Sequence, residues 1–153
     1  GVQTCALPIS GDTLARLDLD PYYRSFRNVS THVLAPELTE VALRKAVHQG
    51  RAYVAHEWLC DATGFRFEAM EGGKTTAALM GDEISNKPGL TLRVMAPAPC
   101  RIRLLRNGAD VAIQQGRELT HALREPGVYR CELSFEIEGE QREWIYSNPI
   151  YVR

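Results

Sequence analysis

The pattern of apolar and polar residues predicts one helix near the start of the chain. Between residues 39 and 49 the apolar side chains recur at helical spacing, which is typical of an amphipathic helix. Thr39 is placed as an N-cap, and Gly50 stands where a left-handed residue ends many helices. The predicted apolar face consists of Leu38, Ala42, Leu43, Ala46 and Val47.

Short strands are predicted on both sides of this helix. One lies near residues 31–34, and the other lies in RAYVAHEW, residues 51–58, directly after the helix cap. Strand, helix and strand in this order are typical of an α/β unit. A sheet that covers the helix needs several more strands, so we expect residues 11–62 to be the end of a larger domain.

From about residue 62 onward the pattern changes to short alternating strands. In FRFEAM, residues 65–70, the phenylalanines face one side, and Arg66 and Glu68 are predicted to face the other. LTLRV at 90–94 and YRCELSFEI at 129–137 alternate in the same way. Asn107-Gly108 predicts a tight hairpin, and Asn148-Pro149 predicts a break in the last strand.

Many short antiparallel strands with one polar face are typical of a β-sandwich. Tyr129 lies two residues before Cys131, which is the spacing of a tyrosine corner in immunoglobulin-like domains. Residues 65–95 contain no cysteine that could complete an antibody-type disulfide. The predicted fold class is therefore mainly β, with a C-terminal Ig-like antiparallel β-sandwich over residues 63–153 after a short α/β unit at 11–62.

Charge and cysteine content narrow the classes of partner. The formal net charge of −1 predicts neither a nucleic-acid partner nor a membrane-surface partner. The four cysteines, at 5, 60, 100 and 131, include no C-x-x-C pair, and free, mostly buried thiols in a reducing compartment are expected. The predicted location is therefore cytoplasmic.

Few side chains in the sequence point to chemistry. Arg24 and Arg27, in YYRSFR, are candidates for binding an anionic substrate, because guanidinium groups pair with phosphate oxygens; the alternative is a solvated loop. Glu57 and Asp61 follow a predicted strand and are either surface carboxylates or groups that orient metal ligands. No catalytic residue or metal ligand is predicted. The spacing of the four histidines does not suit one metal ion; they are His32, His48, His56 and His121. For His32 and His56 we favour a packing role, and a place in the lining of a pocket is the alternative.

Two segments carry a family resemblance. They are YYRSFRNVSTHVLAPELTEVALRKAVHQGRAYVAHEWLCDATGFRF, residues 22–67, and GVYRCELSF…WIYSNPIYVR, between residues 127 and 153. They resemble the C-terminal region of bacterial PHP-domain (polymerase and histidinol phosphatase) metallohydrolases that carry an appended Ig-like domain. The resemblance implies that residues 11–62 are the end of a PHP-type α/β barrel and residues 63–153 an accessory sandwich.

The same resemblance implies a function for the parent protein. PHP-type enzymes are phosphoesterase-like hydrolases that use divalent ions (Zn, Mn or Fe) on a small phosphorylated or otherwise anionic substrate. Their H-x-H and D-x-H motifs do not occur here, since Leu14 stands two residues after Asp12. We therefore expect this polypeptide to be inactive. The alternative is a non-catalytic Ig-like ligand-binding or structural module.

The first residues fit none of these patterns. GVQTCALPI, residues 1–9, resembles a translated short-read sequencing adapter more than a protein segment. We expect residues 1–10 to be an assembly artefact and the gene to be truncated at its 5′ side.

Overall fold

The computed structural model describes two N-terminal strands and the continuous segment 28–153. Strand β1 (Thr4–Ile9) pairs antiparallel with β2 (Asp12–Asp18) as a separate two-stranded sheet. Within residues 28–153, ten strands form one curled sheet, and a helix of nine residues lies next to its strand Ser30–Val33. In chain order these elements are β3 (Ser30–Val33), α1 (Glu40–His48), β4 (Ala52–Ala55), β5 (Arg66–Glu71), β6 (Thr75–Leu79), β7 (Glu83–Ile84), β8 (Leu90–Arg106), β9 (Ala109–Ala122), β10 (Gly127–Ile137), β11 (Glu140–Ser147) and β12 (Ile150–Val152).

Helix α1 forms where the apolar spacing predicts it. The Thr39 hydroxyl accepts a hydrogen bond from the Ala42 amide at 3.2 Å, and Gly50 has the left-handed φ of +70°. The predicted start and end of the helix are thereby confirmed. Its predicted apolar face is only partly covered: Ala42 and Ala46 are buried and Leu43 is half-buried, whereas Leu38 and Val47 are exposed.

The strands that flank α1 run antiparallel to each other. His32 in β3 lies opposite Tyr53 in β4, and β4 in turn pairs antiparallel with β11. Strand, helix and strand therefore do not form the parallel crossover of an α/β unit here. Instead, β3 and β4 extend the antiparallel sheet that the rest of the chain builds.

The two longest strands, β8 and β9, belong to both halves of the sheet, one half containing β5 and the other β10. The first half of β8, residues 90–95, pairs with β5, and its second half, residues 101–106, pairs with β10. Strand β9 follows β8 along both halves, with a break opposite residues 96–99. That stretch reads APAP, and its two prolines lack the N–H groups that regular pairing requires. At this proline-containing stretch the pairing with β9 is interrupted and β8 changes its other partner from β5 to β10.

Most predicted strand faces and turns are confirmed. Phe65, Phe67, Leu92 and Leu133 are buried as the alternation predicts. The Asn107-Gly108 turn joins β8 to β9, and both of its residues have positive φ, as a tight hairpin requires. The interruption at 148–149 separates β11 from β12. The chain is thus mainly β and antiparallel in its described part.

Glu68 departs from the predicted pattern. Its place in the alternation predicts a solvent-facing carboxylate, yet the side chain is fully buried. Arg93, directly opposite on β8, forms an ion pair with it, and the Thr76 hydroxyl donates a hydrogen bond at 2.8 Å. The side chains of Arg93 and Thr76 thus cover Glu68 on the polar face of the sheet, so the polarity of a residue alone does not predict its exposure.

The hydrophobic core is one buried cluster whose side chains come from positions between 53 and 152. Tyr53, Ala55 and Ala62 belong to the same buried cluster as Phe67 and Trp144. A backbone junction strengthens this connection: the Gly81 amide donates to the Pro149 carbonyl at 2.7 Å, and Asn148 Nδ2 donates to the Gly50 carbonyl at 2.9 Å. The sheet shows no interruption at residue 62, and the functional division into 1–10, 11–62 and 63–153 stays a prediction.

Candidate functional site

The largest group of the sequence candidates meets where β4 ends. His32, Tyr53, Glu57 and Asp61 lie together there, and we call them the His32 cluster. His32 and Tyr53 are cross-strand neighbours on β3 and β4, and their rings stack at 4.5 Å between centroids, 4° from parallel. Antiparallel pairing therefore positions the imidazole from one side.

Glu57 positions the imidazole from the other side. His32 Nε2 donates a hydrogen bond to Glu57 Oε1, because an ionised carboxylate can only accept. The second oxygen of Glu57 accepts from the Ala62 amide at 3.3 Å. Both partners are mostly shielded, with 26% of the His32 side chain and 20% of the Glu57 side chain exposed. One carboxylate thus fixes both the imidazole and the 57–62 connection.

Tyr53 links the cluster to the Ala62 backbone and to the core residue Phe65. Its hydroxyl donates to the Ala62 carbonyl at 3.0 Å, and its ring packs edge-on against Phe65. Burial, together with the negative charges of Glu57 and Asp61, raises the pKa of Tyr53 to about 12. The phenol therefore stays protonated and acts as a hydrogen-bond donor throughout the physiological pH range.

Asp61 lies at the exposed rim of the cluster. Its carboxylate accepts a hydrogen bond from the Thr63 amide at 2.8 Å. The hydrogen bonds to Thr63, with a smaller contribution from His32, lower the pKa of Asp61. This is the geometry of a local turn, and it orders the chain as it enters β5.

Tyr53 and Glu57 together fix the orientation of the His32 imidazole. Because Nε2 faces Glu57, Nδ1 is the ring nitrogen left for other partners. A His–carboxylate pair of this kind orients a general base when a nucleophile adjoins it, and it can supply two ligands to a metal ion. Within residues 28–153, no three His, Cys, Asp or Glu side chains converge as a metal site would require.

The remaining candidates are dispersed. Arg24 and Arg27 lie outside the described residues, so their predicted substrate-binding role stays a prediction. His48 lies in the last turn of α1, as expected, and the His56 ring packs edge-on near Tyr146 with 6.3 Å between centroids. His121 lies some distance along the chain, in a cavity with two arginines.

The cysteines agree with the expectation of buried thiols. Cys100 and Cys131 are buried and Cys60 is half-buried, and all three are free. Burial raises the pKa of Cys100 and of Cys131 to about 12, which keeps both thiols protonated and unreactive. In the part of the chain that is described, no helix has the length and apolar character needed to cross a bilayer.

The sequence pattern does not identify Tyr53 as part of this site, nor Ala62 as its backbone partner. It predicts Tyr53 only as a strand residue and residue 62 only as a domain boundary. The available signal was register: pairing β3 with β4 antiparallel puts residue 32 opposite residue 53 and brings the 57–62 connection alongside.

Comparisons with known proteins leave the fold and the site to be interpreted on their own geometry. No protein-family model, curated protein or solved structure matches this chain.

Proposed function

We propose that this chain is a non-catalytic accessory module of a metal-dependent, phosphoesterase-like hydrolase. Residues 63–153 act as an Ig-like domain, and residues 11–62 connect it to the metal-binding domain of the same enzyme. The divalent ions (Zn, Mn or Fe) and the small phosphorylated substrate bind to that other domain. The link to this class of enzyme is supported by the resemblance of residues 22–67 and of the chain end to PHP-domain proteins.

The observation that carries the Ig-like assignment is a contact of Tyr129. Its hydroxyl donates to the Glu125 carbonyl at 2.8 Å, near the start of β10 and two residues before the buried Cys131. A tyrosine hydroxyl that bonds the backbone just upstream of its own strand is typical of the tyrosine corner in immunoglobulin-like domains, and this contact supports the assignment. The two halves of the sheet, joined through β8 and β9, support the same assignment.

The surface of α1 supports a connection to a further domain. Leu38, which precedes the helix, is 92% exposed, and Val41 and Val47 on the helix are 78% and 59% exposed, so several large apolar side chains in this region are left uncovered. A groove of about 240 Å³ lies beside Val41, between the helix and residues 34–37. Among the described residues, β3 next to it pairs on one side only. An adjoining layer of an α/β domain would cover both features.

The geometry of β3 and β4 favours the second candidate function. Both strands join the antiparallel sheet, so residues 30–55 fit a self-contained module as well as they fit a barrel end. In that case the chain is an Ig-like ligand-binding or structural module whose parent is not a hydrolase.

Immunoprecipitation separates the two functions. An antibody raised against residues 63–153 is used to precipitate the native protein from the cells that express it, and mass spectrometry verifies the polypeptide. The proposal predicts that the precipitate hydrolyses p-nitrophenyl phosphate, that EDTA abolishes this activity and that Mn²⁺ or Zn²⁺ restores it. Antibody pre-adsorbed with the purified chain is the control. A verified precipitate without metal-dependent hydrolysis would refute the hydrolase assignment and leave the non-catalytic module.

The purified chain provides a second test. With Mn²⁺ or Zn²⁺ added, we expect it to hydrolyse p-nitrophenyl phosphate no faster than buffer containing the same metal. Metal-dependent turnover by these 153 residues would contradict the accessory role.

A further inference from the structure

A small cavity with a basic lining lies where residues near the two ends of β9 come together, and it shares no residue with the His32 cluster. It has a volume of about 200 Å³, which is large enough for a tetrahedral oxyanion with a short substituent. Strand β8 contributes Arg106, β9 contributes Val111 and His121, and β10 contributes Tyr129. The β9–β10 connection supplies the remaining lining residues, Arg124 and Glu125.

The backbone of this connection is held in place by three hydrogen bonds. The Leu123 amide donates to the Leu90 carbonyl at 2.9 Å, and Asn86 Nδ2 donates to the Arg124 carbonyl at 3.3 Å. The Tyr129 hydroxyl fixes the next carbonyl, that of Glu125. The position of the Arg124 backbone is therefore set by the fold, so a bound anion would have to order only the exposed side chain of that arginine.

Positive charge exceeds negative charge around the cavity. Glu125 is its one carboxylate, and it forms an ion pair with Arg106. No carboxylate within residues 28–153 lies within ion-pair distance of Arg124, and the same holds for Lys87, which lines an adjoining cavity that shares Arg124. One acidic side chain thus faces two arginines and a nearby lysine.

The pKa of His121 is sensitive to the positive charge around this cavity. The side chain is half-buried on β9, and burial, followed by the charges of Arg124 and Arg106, lowers its pKa. The imidazole is therefore neutral at pH 7 and offers one donor and one acceptor nitrogen. An anion between the arginines would reverse the potential at the ring and favour its protonation.

We propose that this cavity is a binding site for a phosphate-type oxyanion, with Arg106 and Arg124 as the charged donors and His121 as a third contact. Guanidinium groups match the oxygens of phosphate in paired hydrogen bonds, and Arg106 is already oriented by Glu125. The site is independent of the proposed hydrolase function, since it lies wholly within residues 106–129 and neighbouring Lys87.

Binding is measured by NMR on the intact chain at pH 7 and low ionic strength. Inorganic phosphate is titrated first and glycerol phosphate second, and the amide signals of residues 121–125 are followed. We expect saturable shifts confined to these residues, and a pKa of His121 that rises with phosphate concentration. By linkage, protonation of His121 strengthens phosphate binding by the same factor. A dissociation constant at least about fivefold lower for glycerol phosphate would assign the site to phosphomonoesters; equal constants would assign it to the phosphate group alone.

Arg124→Gln is the decisive variant. Loss of one guanidinium is expected to weaken phosphate binding about tenfold, the effect of losing one charge-assisted contact. Arg117→Gln is the matched control, because Arg117 is exposed on the same β9 strand and outside the cavity lining. It should change the dissociation constant by less than about twofold. Equal weakening in the two variants, or shifts that fail to saturate, would overturn the site and indicate nonspecific attraction to surface charge.

Discussion

Two glutamates show how environment decides the role of a residue type. Glu68 is buried and receives hydrogen bonds from Arg93 and Thr76, whereas Glu143 Oε2 is buried without a hydrogen-bond partner among the described residues. Burial by itself raises the pKa of Glu68, but the bonds from Arg93 and Thr76 outweigh it and hold that pKa below its ordinary value. For Glu143, burial raises the pKa and the charge of Glu132 adds to the effect. Both glutamates lie in alternating strands, so the sequence pattern does not distinguish them.

Glu68→Gln is expected to destabilise the protein by about 2 kcal/mol at pH 7, because hydrogen bonds to a charged group are replaced by weaker neutral ones. The pKa of Glu68 is lower in the folded state, so its contribution is present above the ordinary carboxyl pKa and is lost as pH falls through the folded value. Urea unfolding at pH 7 and near pH 3 should show the difference between wild type and variant shrinking. A difference that does not depend on pH would contradict the ion-pair role.

Glu143→Gln is expected to act in the opposite direction, raising the free energy of unfolding by about 1 kcal/mol at pH 7, because the substitution removes a partly buried negative charge that lies near the like charge of Glu132. The raised pKa of Glu143 means that its ionisation costs stability as pH rises through the folded value. The gain should therefore disappear in acid, below the ordinary carboxyl pKa. Thermal unfolding across this pH range measures it, and destabilisation at pH 7 would refute the assignment.

At the scale of the element, local signals set the ends of α1 and tertiary packing sets its covered face. Thr39 and Gly50 predict the cap positions correctly, because capping depends on neighbouring residues alone. Which apolar residues are covered depends on packing against the rest of the chain, and here only Ala42 and Ala46 of the helix are buried. Trp144 makes the same point in β11: a bulge opposite 133–134 buries it beside Ile145, which strict alternation does not predict.

Val41→Gln and Ala46→Gln test which helix face is covered. Val41 is exposed, so its replacement should change the free energy of unfolding by less than about 0.5 kcal/mol. Ala46 is 2% exposed, and a larger polar side chain there should cost about 2 kcal/mol through overpacking. Urea unfolding of both variants provides the comparison. A large loss for Val41→Gln would mean that the helix is covered from that side in the free chain.

At the scale of the whole molecule, the mainly antiparallel β class could be predicted from the sequence, whereas the pairing of β4 with the distant strand β11 could not. The alternation of residues 129–137 and the Asn107-Gly108 turn identify strands and hairpins, because both are local. The pairing of β4 with β11 joins positions about 90 residues apart, which no local pattern encodes. The His32 cluster and the basic cavity were unpredictable for the same reason, since each depends on strand register and on a connection that folds back.

Gly81→Ala tests the junction. A Cβ at Gly81 would lie 2.0 Å from the Gln49 carbonyl oxygen and 2.6 Å from the Gly50 carbonyl carbon, so the two backbones would have to separate. Gly89→Ala is the control, because Gly89 has a similar φ of +87° and nothing within 4 Å of the added carbon. We expect a loss of about 1 kcal/mol for Gly89→Ala and at least about 3 kcal/mol for Gly81→Ala, measured by thermal unfolding. Equal losses would show that the close approach does not contribute to stability.

The interruption of pairing at residues 96–99 has a practical consequence for dividing the molecule. A polypeptide cut there would leave β4 and β7 on the first piece, while their partners β11 and β12 lie on the second. Conversely, residues 118–122 of the second piece complete the pairing of residues 91–95 in the first. Each piece holds strands that the other needs, so two separately expressed pieces should stay unfolded alone and reassemble on mixing, as a split reporter does.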